Sequence, residues 1–275
     1  MGRPVAQGLY TIREAGTARM ERKPPERRIE PNMKALIVAD LHYNLRQFDW
    51  LLRVAGDYDL VIVAGDLLDL AGHADLDTQI VVVTKYMARI ARTTRVMVCS
   101  GNHDTDRRSP ADEPLFGWFQ DLRADGTHAD GEHVRVGHGL ISICPWWDGP
   151  TARSELERFL AAAVRPADGP WIWIHHVPPN GSPVSWNGRG HGGDDLLAEM
   201  IRCMQPDLVV CGHIHEAPFR RGGSWVDRLG RTWVVNPGRQ LGELPAMIVF
   251  DLCANHLIWN SLAGSEEAWM GEVAA

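Results

Sequence analysis

Five short polar clusters hold the side chains that could do chemistry. They are Asp40-Leu41-His42, Gly65-Asp66-Leu67-Leu68-Asp69, Gly101-Asn102-His103-Asp104, His175-His176-Val177-Pro178-Pro179 and Gly212-His213-Ile214-His215. Carboxylate, imidazole and amide oxygen are hard to borderline donors that suit Mn, Fe or Zn, and the lack of a thiolate among them argues against a structural zinc site. Asp40 and His42 stand two apart, as do His213 and His215. In extended backbone, residues i and i+2 project to one side, so each pair can reach a single site together. Gly65, Gly101 and Gly212 are read as positions that let the chain turn sharply.

Each cluster comes directly after an apolar run, over residues 35–39, 60–64, 96–99, 171–174 and 208–211. These runs are rich in Val and Ile, too short for helices, and nearly free of polar alternation, as expected of strands covered on both faces. In open α/β sheets the carboxyl ends of such strands meet at one crevice, which would gather the five clusters. Helical patterns fall between them, over 45–54, 80–90, 154–164 and 196–204. Ser154 and Glu157 have capping-box spacing, and Leu196, Leu197, Met200, Ile201 and Met204 form one apolar helix face. A hairpin is expected over 133–144, and strands over 224–226, 232–235, 246–252 and 256–260. The class is α/β with mixed sheets, and no repeat or linker divides residues 33–275. Residues 1–32 mix both charges with paired prolines and no periodicity, and are expected to form a poorly ordered N-terminal extension.

The chain has 275 residues, 45% hydrophobic and 23% charged, which excludes collagen-like, low-complexity and wholly disordered classes. Its 28 basic and 35 acidic side chains give a net charge of −7, the wrong sign for a protein held on nucleic-acid phosphates. Five scattered cysteines (Cys99, Cys144, Cys203, Cys211, Cys253) are too few and odd in number for a disulfide framework, and read mostly as small buried hydrophobes in a reducing compartment. No apolar run reaches the roughly 18 residues of a membrane span, and no secretory signal core is visible, so a cytoplasmic location is expected.

The ordered series D-x-H, G-D-x-x-D, G-N-H-D, H-x-P-P and G-H-x-H resembles the calcineurin-like metallophosphoesterase superfamily. The resemblance runs from about Lys34 to Asp251 and includes Val235-Asn236-Pro237-Gly238, similar to that family's closing turn. It implies a four-layer αββα sandwich with two mixed β-sheets and two metal ions. By the family's pattern Asp40, His42, Asp66 and His215 would bind one ion, and Asp66 would bridge to a second completed by Asn102, His176 and His213. His103 would stand nearest the leaving oxygen, with Asp104 supporting it. The fourth block favours His176, which has proline two places on, with His175 as the alternative; in an extended strand the two face opposite ways.

Two divalent ions with two aspartates leave positive charge that attracts a phosphate and turns a water into hydroxide at neutral pH. The implied reaction is hydrolysis of a phosphate ester by that metal-bound hydroxide, with a small or nucleotide-type phosphodiester as the favoured substrate. A nuclease acting on nucleic-acid ends and a non-catalytic scaffold of the same fold are the alternatives, and the acidic charge weighs against nucleic acid as a partner. Asp69 reads as a supporting carboxylate, and His191 as either a cleft residue or part of a glycine-rich surface loop. Trp171 and Trp173 alternate as core residues. Trp146, Trp147 and Trp186 lie in predicted loops, where an aromatic could stack on a nucleobase or cover a core edge.

Overall fold

The structure is a computed structural model that describes residues 33–271; the expected N-terminal extension over 1–32 lies outside the described residues. The first strands are β1 (Lys34–Val38), β2 (Leu60–Ala64), β3 (Arg95–Cys99), β4 (Arg107–Arg108), β5 (Pro114–Leu115), β6 (His128–Ala129), β7 (Glu132–Val136) and β8 (Gly139–Ile143). They continue with β9 (Trp171–Ile174), β10 (Leu208–Val210), β11 (Val226–Leu229), β12 (Thr232–Val235), β13 (Met247–Asp251), β14 (His256–Ser261) and β15 (Gly264–Trp269). Five α-helices join them: α1 (Leu45–Val54), α2 (Leu76–Ala91), α3 (Phe119–Ala124), α4 (Pro150–Ala161) and α5 (Asp195–Met204).

One sheet runs β15-β14-β13-β1-β2-β3-β6 and the other β11-β12-β10-β9-β8-β7, with β4 and β5 forming a separate small ribbon. Both large sheets are mixed: β1, β2, β3 and β6 are parallel with antiparallel neighbours from β13 on, and β8, β9, β10 and β12 are parallel with antiparallel edges. Side chains alternate along each strand. Ala35, Ile37, Leu60 and Ile62 enter a core with Ile141, Ile172 and Leu208 of the facing sheet. Leu36, Val38, Val61 and Val63 pack outward on Phe48, Leu51, Val83 and Met87 of α1 and α2. Trp173, Val209 and Leu140 pack on Leu156, Leu160, Leu197 and Ile201 of α4 and α5. The layers are therefore helices, sheet, sheet, helices, the expected αββα sandwich. Covered on both sides, each central strand has no polar face to show, hence the unbroken apolar runs.

Several local expectations move. Helix α2 starts at Leu76 rather than residue 80, because Asp75 caps it by accepting the Thr78 N–H at 2.8 Å before the apolar periodicity begins. Helix α4 starts at Pro150, so Ser154 lies inside it and donates to the Pro150 carbonyl instead of capping. Its first amides, Thr151 and Ala152, are satisfied at 2.9 and 3.0 Å by the Glu113 carboxylate, a contact no local pattern encodes. Strand β15 escapes prediction because it is an exposed edge that pairs only with β14 and carries no alternation. Cys99, Cys144 and Cys211 are buried free thiols, whereas Cys203 and Cys253 are exposed. Among the described residues no helix is long and apolar enough to cross a membrane.

Candidate metal centre

The carboxyl ends of β1, β2 and β3 in one sheet and of β9 and β10 in the other lie at the same end of the sandwich. The five clusters leave from those ends. Backbone pairing continues past the strands, with the Asp40 N–H on the Gly65 carbonyl at 3.1 Å and the His42 N–H on the Asp66 carbonyl at 2.9 Å. The route differs from simple extended spacing. Asp40, His42, Asp66 and His213 all lie beyond their strands with φ of 55°, 42°, 56° and 67°. Left-handed backbone costs an L-residue roughly 1–2 kcal/mol, and such strain persists where the surroundings over-determine it. The residue pairs meet because the chain curls over the strand ends, not because it stays extended.

The glycines also act differently from the expectation. Only Gly65 of the three turns left-handed, at φ +84°. Gly101 and Gly212 have no positive φ, but a Cβ on Gly101 would stand 2.2 Å from Asp66 Oδ1 and one on Gly212 would stand 2.7 Å from Asp40 Oδ2. They are glycine because the carboxylates need the space.

Two groups of ligand atoms result, each within 4.8 Å: Asp40, His42, Asp66 and His215, and Asp66, His176 and His213. In the first, His42 Nε2 is 3.0 Å from His215 Nε2 and 3.5 Å from Asp66 Oδ2, and His215 Nε2 is 3.3 Å from Asp40 Oδ1. In the second, His176 Nε2 is 3.2 Å from the same Asp66 oxygen, and Asn102 Oδ1 stands 2.9 Å from His213 Nδ1. Asp66 belongs to both groups. His176, not His175, joins the cluster. His175 is fully buried with neither ring nitrogen hydrogen-bonded, and burial lowers its pKa to about 3.

The donor set fits cations. His176 Nδ1 donates to the Ala64 carbonyl at 2.6 Å, which turns buried Nε2 toward Asp66 Oδ2, 3.2 Å away, as the nitrogen where a cation would take the place of a proton. Burial alone would lower the His176 pKa, but the Asp66 charge overrides it and raises it to about 9. Burial holds His42 and His213 down to about 4, so both offer neutral imidazoles. Asp66 is kept low against burial by His176 and His42, and Asp40 against burial by its His215 hydrogen bond and by His176. Carboxylates and imidazole lone pairs aimed into one space, without a thiolate, are a ligand set for a divalent ion.

His103 is placed over the first group, its ring 4.5 Å from that of His42 and perpendicular to it. Its N–H donates to Asp66 Oδ1 at 2.9 Å, and Asp69 has an atom within 4.8 Å of both His42 and His103. Asp104 is not spent on the His103 ring. Its carboxylate accepts four backbone N–H groups, from Asp66, Leu67 and Gly101 at 2.8 Å and from Leu68 at 3.0 Å. Burial and the Asp66 charge push its carboxyl up, to about 8, and the N–H donors pull the other way. It therefore ties the Asp66 turn to the His103 turn and supports His103 only through the backbone. Asp104→Ala should orphan those donors and cost on the order of 4 kcal/mol of stability, given about 1–3 kcal/mol for each buried polar group left unpaired. Urea unfolding checks this, and a variant as stable as the wild type would overturn it.

One step outward, Asp130 Oδ1 accepts the Ser100 N–H at 2.8 Å, and Ser100 Oγ accepts the Trp146 N–H at 2.8 Å. Burial pushes the Asp130 carboxyl up to about 7 against its hydrogen bonds to Ser100. Between the ordinary carboxylate range and that value the folded chain holds a proton the unfolded chain has released, so stability falls as pH rises through the window. Asp130→Asn keeps an acceptor for Ser100 and cannot ionise. Its Tm should exceed that of the wild type by more at about pH 8.5 than at about pH 5, and equal shifts in thermal melts would refute this assignment.

Residues outside the five clusters also serve the centre. The Asn236 amide donates to the Gly212 and Ile214 carbonyls at 3.1 and 3.0 Å and pins the His213–His215 turn; the Asn-Pro-Gly sequence was its only signal. Arg239 donates its N–H to the His215 carbonyl at 3.0 Å, and its charge works on His42. His191 is set apart, pairing with Ser185 and Ser182 and meeting the edge of Trp186.

A family model described as calcineurin-like phosphoesterase matches residues 33–217. No curated protein matches the chain. Among solved structures, TT1561 of Thermus thermophilus is 15% identical with a TM-score of 0.55, covering 87% of this chain and 99% of that one. The purple acid phosphatase PPD1 of yellow lupin (Lupinus luteus) is 15% identical with a TM-score of 0.53, covering 88% of this chain and 52% of its own. At such identities the likeness is one of fold.

Proposed function

Since the chain belongs to the calcineurin-like phosphoesterase family, we propose that it is a metal-dependent hydrolase of a small phosphate ester, preferring a nucleotide-type phosphodiester over a monoester or a nucleic acid. The observation that carries this is the sharing of Asp66 between two ligand groups. In this reading Asp40, His42, Asp66 and His215 hold one ion, and Asp66, Asn102, His176 and His213 hold the other, with Mn, Fe or Zn as the ions the donors suit. Bound there, two such ions supply Lewis acidity, making water acidic near neutral pH and offsetting charge on phosphoryl oxygens.

The chain's own groups do the rest. As an imidazolium, His103 would give a ring proton to the departing oxygen and return to neutral imidazole, a role worth about 10²–10⁴ in rate. Arg239 adds positive charge beside His42 and favours an anionic substrate. The net charge of −7 disfavours a polyanion such as duplex nucleic acid. A cytoplasmic location goes with this reading.

The test is hydrolysis of bis-p-nitrophenyl phosphate and p-nitrophenyl phosphate by metal-stripped protein resupplied with Mn, Zn, Fe or Mg. Metal-dependent turnover faster on the diester is expected. Folded protein that binds two ions and turns over neither compound would point to a scaffold, and failure to bind metal would overturn the proposal.

A further inference from the structure

Beside the centre lies a groove of about 420 Å³ that the hydrolytic machinery leaves unused. Its walls include Trp146, Phe116, Leu115 and Pro110, with the carboxylates of Glu113 and Glu155 at its margin. Trp146 belongs to both places: its ring centre is 5.4 Å from that of His213 and 5.7 Å from that of His176. Both walls hang on the centre. Trp146 is fixed by its N–H on Ser100 Oγ at 2.8 Å, two residues before Asn102. The opposite wall is the β4–β5 ribbon, which comes directly after the Asn102–Asp104 turn and is held by the Asp106 N–H on the Leu115 carbonyl at 3.1 Å. A volume of this size falls within the usual range of small-ligand sites, and indole, phenyl and proline faces favour a flat occupant. Both carboxylates disfavour a second phosphate there, and Glu155 can accept hydrogen bonds from amino groups.

The geometry points to this groove as the subsite for the aromatic base of a nucleoside phosphate whose phosphoryl group lies on the metal centre. The assignment rests on the phosphoesterase reading and narrows its substrate class. Glu155 is exposed one turn beyond Thr151 on α4 and lines the groove, where an exocyclic amine would meet it. Glu113 is held low in pKa by the Thr151 N–H and stays charged, so it repels anions while anchoring α4.

The experiment is calorimetric titration of the full chain loaded with Mn²⁺, using inorganic phosphate and adenosine monophosphate as probes. Stacking on one aromatic predicts that the nucleotide binds about tenfold or more tighter than phosphate. Leu115→Asp changes a side chain that is 40% exposed, so folding is not at stake, and Trp146→Ala removes the shared wall. Both variants should bring the nucleotide to within about twofold of phosphate, and Leu115→Asp should do so with phosphate affinity unchanged. Nucleotide binding no tighter than phosphate in the wild type, or an advantage untouched by both variants, would overturn the groove assignment and leave the phosphoesterase reading standing. Loaded protein that binds neither probe would instead overturn the phosphoesterase reading and the groove with it.

Discussion

Asp66→Asn is expected to remove turnover and lower the metal content of the protein in one step. The substitution is close to isosteric, and an asparagine oxygen can still accept the His103 N–H that Asp66 Oδ1 accepts at 2.9 Å. The loss is the charge of the oxygen that stands 3.2 Å from His176 Nε2 and 3.5 Å from His42 Nε2. Among the described residues no other carboxylate belongs to both ligand groups, so neither ion would keep its full set. Losing Lewis-acid stabilisation worth several kcal/mol should slow hydrolysis about a thousandfold or more. Metal analysis of the purified variant should give fewer ions per chain, and its far-UV spectrum should match the wild type. Full metal content with full turnover would remove Asp66 from the centre, whereas full metal content with lost turnover would make its charge, not its ligation, the important property.

The sandwich and most of the cluster were legible because both rest on local pattern. A strand covered on both faces must be apolar at every position, so residues 60–64 announce themselves, and the residues just past the end of such a strand in an α/β sheet stand at the crevice. The convergence of the pairs was legible for a partly mistaken reason. The D-x-H and H-x-H spacings point to paired side chains, but they meet through left-handed turns at Asp40, His42 and His213 rather than through strand alternation. Gly101 and Gly212 likewise record close approach by Asp66 and Asp40, which lie far off in sequence.

The unread parts are long-range. Asp104 looks like a partner for its neighbour His103, yet its four hydrogen bonds run to its own turn and to one reached across 36 to 38 residues. Glu113 caps a helix that begins far along the chain, and Asp130 steadies Ser100 from 30 residues away. Composition and spacing carry no record of which distant carboxylate satisfies which amide. That is decided by packing of the two sheets, which brings the loop ends together.

His103→Ala separates the proton from the metals. His103 contributes its N–H to Asp66, a bond that alanine retains, and its ring stands edge-on to His42 without belonging to either complete ligand group. Metal content should therefore hold while kcat falls by about 10²–10⁴, the range for loss of a general acid. The loss should depend on the leaving group. p-Nitrophenolate departs without a proton, so the variant should keep most of its rate on an activated aryl ester and lose the full factor on an alkyl or nucleoside ester. The comparison is a ratio of ratios within one protein, which cancels partial unfolding or incomplete loading. An equal loss on both esters would mean that the imidazole stabilises charge on the phosphoryl group instead of delivering a ring proton. Loss of metal together with rate would place His103 among the ligands, and the group formed with His42 and Asp69 would then be a coordination site in its own right.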